Sequence, residues 1–216
     1  MQHALLTALL PVLFLAVPAL AQAPAQTREQ ALQALVHQDA AIRRQAAGRL
    51  GEVGTMADAM KLAKALRDKD EDTRENVERA LWQIWARSGN PEVDSLYKTG
   101  IEQMSTGESQ QAIRTFTRII EIEPGFAEGW NKRATLYFLA GDYKKSLADC
   151  DEVIKRNPQH FGALAGYGQI YMRLEEFDRA LEYLRRALEV NPNMDGVRFN
   201  ILLIERMQGE RRKRMI

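Results

Sequence analysis

The chain is poor in several things at once. It has one cysteine, three histidines and only 7% aromatic residues in 216 positions. A single Cys excludes an internal disulfide framework and any multi-Cys metal site. Charge of one sign is also lacking. Lys and Arg number 30 against 29 Asp and Glu, a net charge of +1, which removes the overall basic field that a nucleic-acid partner requires. Past the start of the chain, no segment approaches the roughly 20 apolar residues of a membrane span. What remains is ordinary globular material, 45% hydrophobic and 27% charged, in which Ala, Leu, Glu, Arg and Gln recur. Those residues favour helices. The length suits one domain or two small ones with a real core. These figures point to an all-α protein without obvious catalytic equipment.

Residues 1–21 contain no Lys, Arg, Asp or Glu. Ala4 to Leu20 is apolar, interrupted by Pro11 and Pro18, and ends in Ala19-Leu20-Ala21 before Gln22. That is the apolar region and small-residue cleavage pattern of a secretory signal peptide. The expectation is cleavage after Ala21 and export, in a bacterium to the periplasm; a retained anchor is the other reading, which the two prolines oppose. Residues 22–27 read as a linker, and helical pattern begins near Arg28.

Two internal periods follow. In the first, Asp39-Ala40-Ala41-Ile42-Arg43 is echoed 31 residues later by Asp70-Glu71-Asp72-Thr73-Arg74, and Leu50 by Leu81. Each Asp is placed to cap a helix, and Arg43 and Arg74 are expected to pair with neighbouring acids. Residues 28–87 thereby resemble short HEAT-like repeats. Asp39, Ile42-Arg43, Ala46 and Leu50-Gly51 follow that pattern, as do Asp70, Arg74, Val77 and Leu81. Thr73 and Trp82 depart from it.

Arg87-Ser88-Gly89-Asn90-Pro91 breaks the pattern, and the period becomes 34: Pro124, Pro158 and Pro192; Gly107 and Gly141; Ala112, Ser146 and Ala180. Phe116, Cys150 and Leu184 share one phase, and Tyr137 and Tyr171 another. Small residues let paired helices approach, larger ones fill the space between units, and prolines end each unit. Glu175 stands where the third turn lacks its Gly. These residues resemble the tetratricopeptide repeat. The resemblance implies a right-handed α-α superhelix, a solenoid of helix-turn-helix units at 93–126, 127–160 and 161–194. A capping helix at about 195–208 follows, with Phe199, Leu202 and Leu203 on the side expected to cover the last unit. Residues 209–216 form a basic tail, read either as a solvated end or as a contact for anionic lipid headgroups or an acidic partner.

Nothing in the sequence assembles a catalytic, cofactor or metal site. His37 and His160 lack ligand spacing and read as exposed polar residues. Cys150 reads as a small buried hydrophobe. Gly162, Gly166 and Gly168 lack the Gly-Lys-Ser/Thr of a phosphate loop. Asp149 and Asp151 read as a solvated face.

The repeat resemblance implies a non-enzymatic scaffold or adaptor that presents a concave face to a peptide or protein. A self-associating envelope protein and an accessory subunit of an envelope enzyme are the alternatives. The implied groove positions are Tyr97, Lys98 and Ile101 in the first unit, Asn131, Lys132 and Thr135 in the second, and Gln169 and Arg173 in the third. Tyr97, Ile101 and Ala165 replace polar residues with which one subclass clamps a C-terminal carboxylate, while Asn131 is kept; the replacements argue against a chaperone-tail clamp. Met104, Phe138 and Met172 beside Lys98, Lys132 and Arg173 point to a partly apolar peptide carrying some acid. Packing between helices is the competing role for several of these side chains.

Overall fold

The computed structural model describes residues 26–213, with side chains through Glu210. The expected signal segment and the end of the basic tail lie outside the described residues. Among those residues the chain forms eleven α-helices, one short 3-10 turn and no strand. The N-terminal part holds α1 (Arg28–Ala34), α2 (Ala40–Val53), the 3-10 turn Met56–Asp58, α3 (Ala59–Ala65) and α4 (Glu71–Trp85). The 34-residue units hold the pairs α5 (Pro91–Ser105) and α6 (Ser109–Ile122), α7 (Ala127–Leu139) and α8 (Tyr143–Arg156), and α9 (Phe161–Arg173) and α10 (Phe177–Val190). The last helix is α11 (Asp195–Lys213).

Helix starts follow from local chemistry. Thr27 and Gln30 form a reciprocal capping box at α1. Asp39 accepts the Ala41 N–H and Asp70 the Thr73 N–H. Asn90 caps α5 with Pro91 as its first residue. These side chains satisfy amide groups that have no partner inside the helix. Arg43 makes a two-pronged pair with Asp68, at 2.7 and 2.8 Å. Arg74 does not repeat it. Its guanidinium donates to the Asp68 and Lys69 carbonyls, as Arg43 does to those of His37 and Gln38, but the position matching Asp68 is Thr99, which has no carboxylate to offer.

The units stack by exchanging volume between paired helices. A Cβ at Gly100 would lie 2.6 Å from Phe116, and one at Gly168 would lie 2.4 Å from Leu184. In the middle unit the matching residues are Ala134 and Cys150, both buried. A larger residue on the first helix goes with a smaller one on the second, which keeps the core close-packed. Burial pushes the Cys150 thiol up to about 12, so the thiol is a packing group with little thiolate.

Turns between paired helices need left-handed backbone. Gly107 (φ 81°) and Gly141 (φ 77°) supply it, and Glu175 adopts the same geometry at φ 59°. The third turn is thus kept despite its side chain. The capping helix differs from expectation in two ways. It runs through Lys213 rather than ending near 208. The side that covers the last unit is Val197, Ile201 and Ile204, whereas Phe199 and Leu202 are 65% and 64% exposed. Helical phase rotates those two away from α10.

The turn geometry sets opposite signs for two substitutions. Glu175→Gly should stabilise and Gly141→Ala should destabilise, each by roughly 1 kcal/mol, since an L-residue at positive φ carries that order of strain. Urea denaturation monitored by circular dichroism would read both; equal signs would show that the turns differ in more than backbone conformation.

Candidate functional site

Three loops join one unit to the next, at 123–126, 157–160 and 191–194. The N-terminal helices fold back across this edge, and α4 is the strut. Near its start, Arg67 donates to the Glu189 and Val190 carbonyls and Asn193 donates to the Leu66 carbonyl. Midway, Asn191 donates to Glu78. At its end, Trp82 and Trp85 meet His160 and Phe161. Gly162 leaves room for this approach, since a Cβ there would lie 2.5 Å from the Trp82 ring.

His160 is therefore not an exposed polar residue. It is fully buried and stacks on Trp85 with centroids 4.6 Å apart. Its Nδ1 accepts the Ala163 N–H and caps α9. That assigns the ring proton to Nε2, which donates to Glu128 Oε1 at 2.5 Å. Glu128 is also buried. Its carboxylate further accepts Asn131 Nδ2 at 3.0 Å and the Tyr97 hydroxyl at 3.4 Å, with Lys132 Nζ at 3.4 Å. Burial pushes this carboxyl up, and His160, Lys132 and Asn131 outweigh it, so it is held below the ordinary carboxylate range.

This cluster draws in three of the expected groove residues, Tyr97, Asn131 and Lys132. Tyr97 packs edge-on against Phe116 and Phe126 with its hydroxyl turned to Glu128. Lys132 faces Glu128 and lies 5.6 Å from the Trp82 ring centroid. Asn131, Thr135 and Gln169 do come together. With Phe138, Ala163 and Gly166 they line a cleft of about 130 Å3 between α7 and α9. Asn131 spends its NH2 group on Glu128, and Thr135 donates to the Asn131 carbonyl at 3.0 Å. Their oxygens keep accepting capacity. Gln169 is exposed. Lys98 and Ile101 are exposed on α5, and Arg173 is exposed at the end of α9.

A second buried acid also departs from expectation. Asp149 is not on a solvated face. Arg133 Nε and Nη2 donate to it, both at 2.8 Å, and Nη1 donates to Thr117. Asp149 faces inward because Arg133 on the paired helix supplies a matching fork. The same phase in the next unit holds Tyr167 and Tyr183, stacked at 4.2 Å. Among the described residues no group of three or more His, Cys, Asp or Glu could hold a metal ion, and no helix is long and apolar enough to cross a membrane.

Comparison with known proteins places this geometry. Residues 97–161 and 137–199 match two family models, each described as a tetratricopeptide repeat. A TPR repeat-containing protein of Rhizobium etli is 28% identical over 146 residues, covering 67% of this chain and 72% of that protein. The small glutamine-rich tetratricopeptide repeat-containing protein of Dictyostelium discoideum is 30% identical over 142 residues, 64% of this chain but only 42% of its own length. Among solved structures, the first TPR of Spaghetti (RPAP3) bound to an HSP90 peptide superposes with a TM-score of 0.53, at 20% identity, over 54% of this chain and 93% of that one. MamA superposes with a TM-score of 0.52, at 18% identity, over 71% of this chain and 85% of its own. Residues 97–199 are thus built of tetratricopeptide repeats, and the fold is the α-solenoid of those structures.

The joint makes its own prediction. His160→Ala removes a helix cap, an aromatic stack and a donor to a buried carboxylate, and should cost about 3–5 kcal/mol. Glu128 ionises more easily folded than unfolded, so its stabilisation is full above its unfolded value of about 4.3 and is lost as pH falls toward its lower folded value. Glu128→Gln should be less stable at neutral pH and show a shallower acid limb below that point. Urea midpoints at several pH values measure both; parallel acid limbs would remove Glu128 from the account.

Proposed function

We propose that the protein is an exported, non-enzymatic scaffold or adaptor that holds a peptide or extended protein segment in the cleft between α7 and α9. The observation that carries this reading is the convergence of Asn131, Thr135, Gln169 and Phe138 on one open cleft. Amide and hydroxyl groups beside an aromatic edge suit a peptide backbone with apolar side chains. A protein of the same fold, RPAP3, holds an HSP90 peptide, which supports peptide capture as a use of this architecture. The ligand here is of a different kind. Tyr97 and Ala165 are inward or buried and Ile101 is apolar, so these three positions offer no polar group to a carboxylate. Lys98 and Arg173 remain exposed on α5 and α9 to meet acid on the partner.

Gly166 offers a clean test of the cleft. A Cβ there would meet only Cys150 Sγ, at 3.9 Å, so a side chain can branch into the cleft without touching backbone, and Gly166→Leu extends into it while improving helix propensity. The variant should fold as well as wild type and lose the partners that wild type captures from envelope extract. Retention of the same partners at the same strength would place the binding surface elsewhere.

Export is proposed from the charge-free start and Ala19-Leu20-Ala21. Expressed in a Gram-negative host, the protein should appear in the periplasmic fraction with Gln22 as its first residue. Recovery of intact Met1 from the cytosol would overturn this part.

A further inference from the structure

A large cavity in the described residues lies away from the repeat cleft. It measures about 920 Å3 and runs between the end of α1, the turn after it, and α3. Leu32, Leu35 and Ala65 make an apolar floor, and Val36 stands 85% exposed at the mouth. The rim is cationic, with Lys61 and Lys64 on α3, then Arg67 and Lys69. Asp68 is the only carboxylate lining it, and the Arg43 fork occupies it at 2.7 and 2.8 Å. Lys61, Lys64 and Lys69 have no acid within ion-pair distance among the described residues, so this groove concentrates positive charge in a chain whose net charge is only +1.

We propose that this groove is a second binding site and takes an acidic amphipathic helix from a partner protein. The apolar floor requires a stripe of apolar side chains. Lys61 and Lys64 stand three residues apart on α3, a rise of roughly 4.5 Å, and Arg67 lies in the turn beyond, its guanidinium turned to the Glu189 and Val190 carbonyls. Carboxylates one turn apart on a docking helix match that interval and relieve the repulsion between like charges on neighbouring turns. Helix-in-groove recognition uses this combination of apolar anchors and flanking charge. The groove is concave with its apolar residues at the bottom. A bilayer is flat and needs several apolar side chains that protrude; Val36 is the one lining residue that does so, with Met60 also exposed on α3. A helix is therefore the occupant that the shape favours over a lipid surface.

Two synthetic helical peptides of about 18 residues test this, with a common leucine stripe and either Glu or Lys elsewhere. Phosphatidylglycerol vesicles form a third arm. Fluorescence anisotropy should show the Glu peptide binding the protein, more weakly as salt rises. Lys61→Glu combined with Lys64→Glu should weaken it at least about tenfold. Both side chains are exposed, so the fold should survive, and Lys61→Gln with Lys64→Gln should give an intermediate loss. Hydrogen exchange should slow over residues 32–38 and 61–69 on binding. Gly166→Leu should bind the Glu peptide like wild type, which separates this site from the repeat cleft. Absence of Glu-peptide binding, equal binding of the Lys peptide, indifference to the charge reversals, or binding to vesicles but not to the peptide would each overturn the proposal.

Discussion

Glu128 is a carboxylate removed from water and surrounded by donors from separate parts of the chain. Tyr97 reaches it from the first unit, Asn131 and Lys132 from the second, and His160 from the entrance to the third. Trp82 and Trp85 of α4 close over His160 from the N-terminal helices. An unpaired buried carboxylate would be costly enough to unfold a marginal domain. Each of those elements must therefore sit in place for the others to be stable. A solenoid whose units contact only their neighbours has little long-range cooperativity. This cluster supplies it by joining three units and the strut at one point.

The strut also decides what the solenoid can offer. It lies on the edge formed by the inter-unit loops, where Asn191, Asn193 and Arg67 tie it down. That edge is spent on internal contact, and so are Tyr97 and Lys132. No residue of α4 lines the cleft between α7 and α9; α4 ends at Trp85, beside His160 and Phe161 at the start of α9. The N-terminal helices keep their own groove, at α1 and α3, on a surface separate from the lining of that cleft. One chain thereby presents two differently charged recesses in a fixed relation.

Much of the fold was legible in the residues. The 34-residue phase located the paired helices, Asp39 and Asp70 announced helix starts, and Cys150 fell in a core phase with Phe116 and Leu184. The buried joint was legible only in part. His160 shares its phase with Phe126 and Met194, an apolar company that signals burial. Arg133 and Asp149 occupy the phase of Tyr167 and Tyr183, so their substitution as a pair was a sign of contact. Glu128 left no such trace, since its phase holds Asp94, which accepts from Ser88 at a loop, and then Gly162 and Gly196. Phe199 and Leu202 misled because a helical repeat of apolar residues shows that a helix has an apolar side without showing which way it turns.

Periodicity and turn chemistry are local, and the sequence by itself determined what depends on them: helices, their pairing within units, and an architecture of stacked repeats. Tertiary structure alone decided what depends on contacts between distant segments. The fold-back of α4 brings Trp82 to Gly162 and Glu78 to Asn191 across more than a hundred residues of chain in the second case. No period relates those positions, because the 34-residue phase does not extend into the N-terminal helices. Shape and the balance of buried charge bring them together, and both exist only once the chain is folded.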